Sequence, residues 1–209
     1  HGLTQESFEA LQSEWKQLLL RARNERGAPL RDHKLITSWN ALLVSGYAEA
    51  YNAFGDSRYL EAATQLYELI SAQAPEELRH IYKAGEATPV FTQDYVLLSQ
   101  AALALYFSTN NSFYLDAAEN NMTYLNSRFY HAEKSAYAFG DTAELMAPIY
   151  VFSDGVMPSD NGVAAQVNFL IGHIKFNSEA TKKAAQTMQN ARAFVSGDLE
   201  NDTQLGQVY

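Results

Sequence analysis

Residues 42–63 read LLVSGYAEAYNAFGDSRYLEAA, and residues 97–118 read LLSQAALALYFSTNNSFYLDAA. The two stretches share a Leu-Leu pair, a Tyr, a Tyr-Leu pair and an Ala-Ala pair, all in the same register. Tyr106, for example, stands 55 positions after Tyr51. A repeat of this length, in which each copy joins an apolar segment to an amphipathic one, predicts a series of α-hairpins.

The short connection between the two segments of each copy has residues that are typical of a helix end followed by a helix start. Gly55 suits the left-handed conformation that follows a helix, and Asp56 suits the cap of the next helix. A looser third copy runs from Val163 to Phe176 and then, after a short turn, through Ala193. The first helix of each copy is apolar on nearly all faces, whereas the second is amphipathic. We therefore predict an inner helical layer covered by an outer one.

The predicted fold is all-α, an α/α toroid present as a partial ring of about three to four hairpins, because single hairpins cannot bury their own faces. Two linkers contain candidate short strands, at 78–82 and 136–139. Residues 1–209 are predicted to form one domain, a fragment of a longer protein, in which residues 194–209 are a loop or tail. A helix capped by Thr4 precedes the repeats, and its apolar residues, Phe8, Leu11, Trp15, Leu18, Leu19 and Ala22, are predicted to form one buried face.

Composition and charge exclude several classes of function. The 209 residues carry a formal net charge of −9, which disfavours binding to nucleic acid and to anionic membrane surfaces. No apolar run approaches the roughly 20 residues of a membrane-spanning helix. Cysteine is absent, and no His spacing is typical of a metal site, so we predict neither a metal nor another cofactor. The sequence does not indicate in which cellular compartment the protein works.

Polar residues cluster where the apolar helices begin, and in a toroid those helix starts open on one pocket. Three carboxylates there, Asp94, Asp154 and Asp32, are the candidate catalytic residues, since glycoside cleavage uses a carboxylate pair. His33, His80 and Lys34 are the alternative, as groups for proton abstraction beside a sugar carbonyl, the chemistry of an epimerase. The candidate substrate-binding residues are Lys34, Trp39, Asn40, Tyr95, Ser159 and Asn161. Helix capping alone explains Ser38, Thr92 and Ser159 equally well.

The motifs together resemble the C-terminal region of the thioredoxin-domain protein family related to spermatogenesis-associated protein 20. The residues that carry the resemblance are Asp32, Lys34, Thr37-Ser38-Trp39-Asn40, Asp94-Tyr95, Asp154-Gly155, Pro158-Ser159 and Asn161. It implies a six-hairpin, glycosidase-like toroid similar to N-acylglucosamine 2-epimerase. The chain departs from the family's pattern at His33, Ala41, Gln93 and Asp160, where an acidic residue, Gly, Glu and Gly are expected.

The resemblance thus implies a carbohydrate-processing toroid domain, either a sugar epimerase or isomerase or a glycosidase-like enzyme. The alternative is a non-catalytic toroid that binds a carbohydrate or a protein through the same pocket. A third interpretation is a helical-repeat scaffold without a pocket. A carbohydrate is the expected ligand, and apolar surface left exposed by an incomplete ring is expected to favour a homodimer.

Overall fold

The computed structural model describes residues 2, 4–73, 77–82, 88–141 and 147–191, so the predicted tail at 194–209 lies outside the described residues. The chain divides into two compact units, residues 1–33 and residues 34–209. No helix within the described ranges has the length and apolar character needed to span a membrane.

The first unit contains one helix, α1 (Gln5–Asn24), and its start is as predicted. The hydroxyl of Thr4 accepts a hydrogen bond from the backbone N–H of Ser7, at 3.3 Å. The predicted burial of its apolar face is wrong, because no residue of α1 is buried and Trp15 is 51% exposed. A helix alone in its unit has no second layer against which to bury that face.

The second unit consists of three helical hairpins within the described residues. In each, an apolar inner helix is followed by an outer helix: α2 (Thr37–Phe54) and α3 (Ser57–Ala72), α4 (Thr92–Thr109) and α5 (Ser112–Arg128), α6 (Asp160–Ile174) and α7 (Ser178–Ala191). The inner helices pack side by side, with α4 in contact with both α2 and α6.

The repeat seen in the sequence is kept in three dimensions. The helices α2 and α4 each have 18 residues, and their first residues, Thr37 and Thr92, stand 55 positions apart. Their C-terminal caps, Gly55 and Asn110, both adopt the left-handed conformation, with φ of 70° and 54°. Asn is one of the few residues besides Gly that reaches this region readily, which explains how the second copy keeps the turn without Gly.

The central inner helix is the most buried element. Twelve of the 18 residues of α4 are buried, compared with five of the 18 in α2. Because α2 lies at one edge of the row of inner helices, one of its faces remains exposed, and Trp39, Leu43 and Phe54 lie there with exposures of 61%, 46% and 74%.

Two short antiparallel strand pairs form in the linkers, near the positions predicted. β1 (Leu35–Ile36) pairs with β2 (Ile81–Tyr82), and β3 (Tyr130–His131) pairs with β4 (Ala136–Tyr137). The linkers then contact the first turns of inner helices. The backbone N–H of Thr37 donates to the carbonyl of His80 at 3.0 Å, and that of Thr92 donates to the carbonyl of Phe139 at 2.9 Å.

Candidate functional site

Asp94 ties together the first turns of two inner helices. Its side chain is fully buried, and its Oδ1 accepts a hydrogen bond from the backbone N–H of Ser38 in α2, at 3.2 Å. Its Oδ2 accepts a hydrogen bond from the backbone N–H of Phe91, at 3.0 Å. This is the capping-box bond in which the side chain of the third helical residue binds the N–H of the N-cap residue of α4. Both carboxylate oxygens of Asp94 are therefore occupied by the backbone.

His80 is the third partner of that carboxylate. Its Nδ1 lies 3.0 Å from Oδ1 of Asp94, and its ring packs edge-on against Phe91 with centroids 4.9 Å apart. The hydrogen bond to Asp94 raises the pKa of His80 above its ordinary value, and partial burial opposes this. The carboxylate thus fixes the imidazole and leaves Nε2 without a partner among the described residues.

Asp160, the first residue of α6, has a different environment. It is 1% exposed, its Oδ1 accepts a hydrogen bond from Nε2 of Gln93 at 3.3 Å, and its Oδ2 has no partner among the described residues. Burial raises the pKa of Asp160 to about 7; the bond from Gln93 opposes the shift, and the negative charge of Asp94 adds to it. This carboxyl group can therefore gain and lose a proton near neutral pH.

Like Oδ2 of Asp160, two buried hydroxyl oxygens have no hydrogen-bond partner among the described residues. They are the Oγ atoms of Ser38 and Ser159, and both side chains are fully buried. A buried polar group without a partner is costly, and such groups often mark a place for a water or a ligand. We call the following residues the mouth: Ser38, His80, Gln93, Asp94, Ser159 and Asp160.

The predicted residues near the start of α6 have structural hydrogen bonds. Oδ1 of Asp154 accepts from the backbone N–H of Ser159 at 2.8 Å and so holds the residue that precedes α6. The buried carboxamide of Asn161 bonds to the N–H and carbonyl of Tyr137, at 2.7 and 3.0 Å, and to the carbonyl of Val151. Asn161 therefore holds the linker between α5 and α6 against the start of α6.

Tyr95 and Asn40 are also engaged within the fold. The ring of Tyr95 stacks on Tyr124 at 4.7 Å, its hydroxyl accepts a hydrogen bond from the backbone N–H of Leu78, and burial raises the pKa of the phenol. The carboxamide of Asn40 donates to the carbonyl of Ile36 at 2.8 Å, which provides the partner that an amide on an apolar helix requires.

The remaining predicted residues are more exposed. Trp39 and Lys34 are exposed at the start of α2. Asp32 belongs to the first compact unit, whereas the mouth lies in the second. The structure therefore brings Asp94 and Ser159 into the mouth, together with His80, which was predicted as an alternative group for proton abstraction. Ser38, Gln93 and Asp160 were not among the candidate catalytic or substrate-binding residues.

The sequence contains a signal for Ser38, Gln93 and Asp160. A Thr or Ser stands at the first position of α2 and α4 and at the cap of α6, and a second polar residue follows it: Thr37-Ser38, Thr92-Gln93 and Ser159-Asp160. These second residues, Ser38, Gln93 and Asp160, face the mouth. His80 has no such signal, because its position depends on how the linker folds back. Across the described ranges, no three His, Asp or Glu side chains are close enough to hold a metal ion.

Comparison with known proteins places the chain among uncharacterised homologues. No protein-family model matches it. An uncharacterised protein of Caenorhabditis elegans is 25% identical over 189 residues, covering 85% of this chain and 26% of that protein. Human spermatogenesis-associated protein 20 is 27% identical over 184 residues, covering 78% of this chain and 23% of that protein. The chain spans about a quarter of the length of these curated relatives.

Solved structures of similar fold come from carbohydrate-active proteins. A GH76 α-mannanase of Bacteroides thetaiotaomicron superposes with a TM-score of 0.66 at 12% identity, covering 80% of this chain and 47% of that one. A D-mannose isomerase gives 0.61 at 10% identity, with 75% and 41% covered. A cellobiose 2-epimerase of Spirochaeta thermophila gives 0.56 at 15% identity, with 78% and 45% covered. The comparisons confirm the resemblance to the spermatogenesis-associated protein 20 family and the α/α-toroid fold.

Proposed function

We propose that this domain binds a neutral sugar at the mouth and acts on it by proton transfer, as a sugar epimerase or isomerase does. The observation that carries the proposal is the unpaired, buried Oδ2 of Asp160, together with an imidazole, that of His80, which is held by Asp94; the charge of Asp94 acts on both groups. A proton donor that titrates near neutral pH and a fixed imidazole are the two groups that proton abstraction beside a carbonyl needs. The fold shared with a mannose isomerase and a cellobiose epimerase supports this reaction class.

The residues divide into two roles. His80, in its neutral form, removes the proton from the carbon next to the sugar carbonyl, and protonated Asp160 gives a proton to the carbonyl oxygen, which yields an enediol. An isomerisation is completed when His80 gives its proton to the former carbonyl carbon and Asp160 takes a proton from the hydroxyl of the neighbouring carbon. An epimerisation requires instead that a proton return to the same carbon on the opposite face of the enediol, and in both cases no electron is gained or lost overall. Asp94 acts through His80: it orients the ring and stabilises the cation formed on proton abstraction.

A glycosidase is the less favoured alternative. Glycoside cleavage needs two carboxyl groups that reach the substrate. Both oxygens of Asp94 are bonded to backbone N–H groups, and Asp154 is bonded to the N–H of Ser159. Among the described residues of the mouth, Asp160 is the one whose carboxyl oxygen is buried without a partner. This difference favours one acid and one imidazole over a pair of carboxyl groups.

The sugar would be held by hydroxyls and an aromatic ring. Ser38 and Ser159 offer unpaired Oγ atoms to sugar hydroxyls. Trp39 and Lys34, exposed at the start of α2, are proposed to contact the ring and its oxygens from the outside. Asn40, Tyr95 and Asn161 are proposed to support the site indirectly, through the hydrogen bonds that they make in the fold.

The test is solvent-proton exchange into sugars. The chain is incubated in D2O with mannose, glucose, N-acetylglucosamine and cellobiose, and deuterium incorporation at C2 is followed by NMR. Asp160→Asn keeps the shape of the side chain but removes the acid, and we expect exchange to fall by about 100-fold or more. Asp116→Asn, at an exposed carboxylate on α5, is the matched control and should leave exchange unchanged.

The outcomes separate the two functions proposed for the mouth. Exchange that Asp160→Asn leaves intact would overturn the assigned role of this residue. Sugar-dependent shifts of the Ser38 and Ser159 resonances without any exchange would identify a non-catalytic carbohydrate-binding domain. If neither shifts nor exchange occur with these sugars, the proposal that the mouth is a sugar site fails.

A further inference from the structure

A second cavity lies in the outer layer, between α3 and α5 and over the first half of α4. Its volume is about 590 Å³, which is within the range of small-molecule sites. Its lining includes four aromatic rings, Tyr67, Tyr95, Phe113 and Tyr124, and two carboxamides, Asn120 and Asn121. The mouth residues described above are not among the described residues that line it.

The aromatic residues provide a rigid base and an accessible ring. Tyr67 and Tyr95 are 2% and 3% exposed, and Tyr95 is held by its stack on Tyr124. Burial raises the pKa of Tyr67 to about 12, so its phenol stays neutral. Phe113, in the first turn of α5, is 59% exposed and packs edge-on against Tyr114. Its ring is therefore fixed in place and still accessible to a ligand.

The polar groups of the lining are uncharged and available. The carboxamides of Asn120 and Asn121 make no side-chain hydrogen bond within the described part of the chain. Each offers two donors and an acceptor in a fixed plane. The neighbouring charges are paired with one another, because Glu77 accepts from both the guanidinium of Arg128 and the hydroxyl of Tyr124.

This chemistry selects one class of ligand. No charged side chain lies in the described lining, and the chain carries a net charge of −9, so nothing there attracts an anion. An accessible ring beside two carboxamides that have no partner among the described residues suits a molecule with an apolar face and vicinal hydroxyls, in other words a neutral sugar. We propose that this cavity is a second site, separate from the mouth, that binds a neutral saccharide of one or two rings.

The experiment uses the full chain labelled with ¹⁵N and titrated with mannose and cellobiose, and with glucuronate as the anionic comparator. We expect the side-chain amide resonances of Asn120 and Asn121 to shift with the neutral sugars and to move less with glucuronate. Phe113→Ala and Asn121→Ala should each weaken binding by about fivefold or more, through loss of the ring face or of the amide bonds. The matched controls Phe54→Ala and Asn52→Ala, at exposed positions of α2, should leave the affinity unchanged.

The mouth and the outer cavity are distinguished with Asp160→Asn. If the cavity is an independent site, this variant still shows the shifts of Asn120 and Asn121, whatever happens to sugar turnover. The proposal is overturned if the two amides do not respond to neutral sugars, or if Phe113→Ala and Phe54→Ala have the same effect. It is also overturned if Asp160→Asn abolishes the shifts. Far-UV circular dichroism checks that each variant is folded.

Discussion

Asp94 and Asp160 show how the surroundings of a side chain, more than its type, decide its chemistry. Both are buried at the start of an inner helix, yet Asp94 has three hydrogen-bond donors, whereas Asp160 has one carboxamide donor and a bare oxygen. The first arrangement fixes a carboxylate in place, and the second leaves a carboxyl group ready to exchange its proton. The local sequence does not separate these two cases, because the donors Ser38 and Gln93 come from other hairpins and His80 comes from a linker.

Asp160 gives a prediction for stability. Its pKa is about 7 in the folded chain, against an ordinary value of 3.8, so between these values the folded state binds more protons than the unfolded state. Its contribution is therefore most favourable below pH 3.8 and is lost as the pH rises toward 7. We expect Asp160→Asn to remove this loss, so that at pH 8 the variant is more stable than the parent chain by a few kcal/mol. Urea unfolding at pH 5 and pH 8 measures the difference; a gain that is equal at both pH values would contradict it.

A second prediction concerns His80, which should also make the folded chain less stable at high pH than at low pH. Its pKa is raised by Asp94, so its stabilising contribution is complete below pH 6.5 and is lost as the pH rises through the folded value. Replacing His80 with Gln should lower the unfolding midpoint more at pH 5.5 than at pH 8.5. A drop in the midpoint that is equal at the two pH values would contradict this prediction.

At the scale of the elements, the close approach of α6 and α7 is decided by one glycine. A Cβ added at Gly172 would lie 2.8 Å from the backbone nitrogen of Thr181 and 2.3 Å from its hydroxyl. We expect Gly172→Ala to destabilise the chain by about 1 to 3 kcal/mol, because the outer helix would have to shift away. Gly46, within α2, meets nothing within 4 Å, so Gly46→Ala should stabilise the chain by about 0.5 to 1 kcal/mol. Denaturant unfolding of both variants checks the opposite signs; a loss of stability in both would contradict the packing argument.

The sequence predicted the hairpins well, because their signals are local. Apolar periodicity, the left-handed cap at Gly55 and the side-chain cap at Asp56 each act within a few residues, and the structure confirms all three. The mouth was predicted less completely, because His80 reaches Asp94 through a linker that folds back by pairing β2 with β1. That pairing joins segments far apart in the chain, and no local pattern specifies it.

At the scale of the whole molecule, the exposed face of α2 is the feature with the clearest consequence. Trp39, Leu43 and Phe54 leave an apolar stripe on the edge helix of the row. Exposed apolar stripes of this kind promote association. We expect the chain to form a homodimer through this stripe as its concentration rises, and Leu43→Lys to shift it toward the monomer. Sedimentation velocity measures this, with Leu69→Lys on α3 as the control; a monomer at all concentrations would contradict the prediction.

The hydrogen bonds of Asp94 also turn two backbone amides into reporters. The N–H groups of Ser38 and Phe91 belong to different hairpins, yet both donate to the same carboxylate. Exchange of the Ser38 amide with solvent deuterium should therefore slow only when both hairpins are docked, whereas the Phe91 amide, whose bond to Asp94 lies at the start of α4, reports the cap of that helix alone. The exchange rate of the Ser38 amide would measure how often the mouth opens, without any substrate or any assay of turnover.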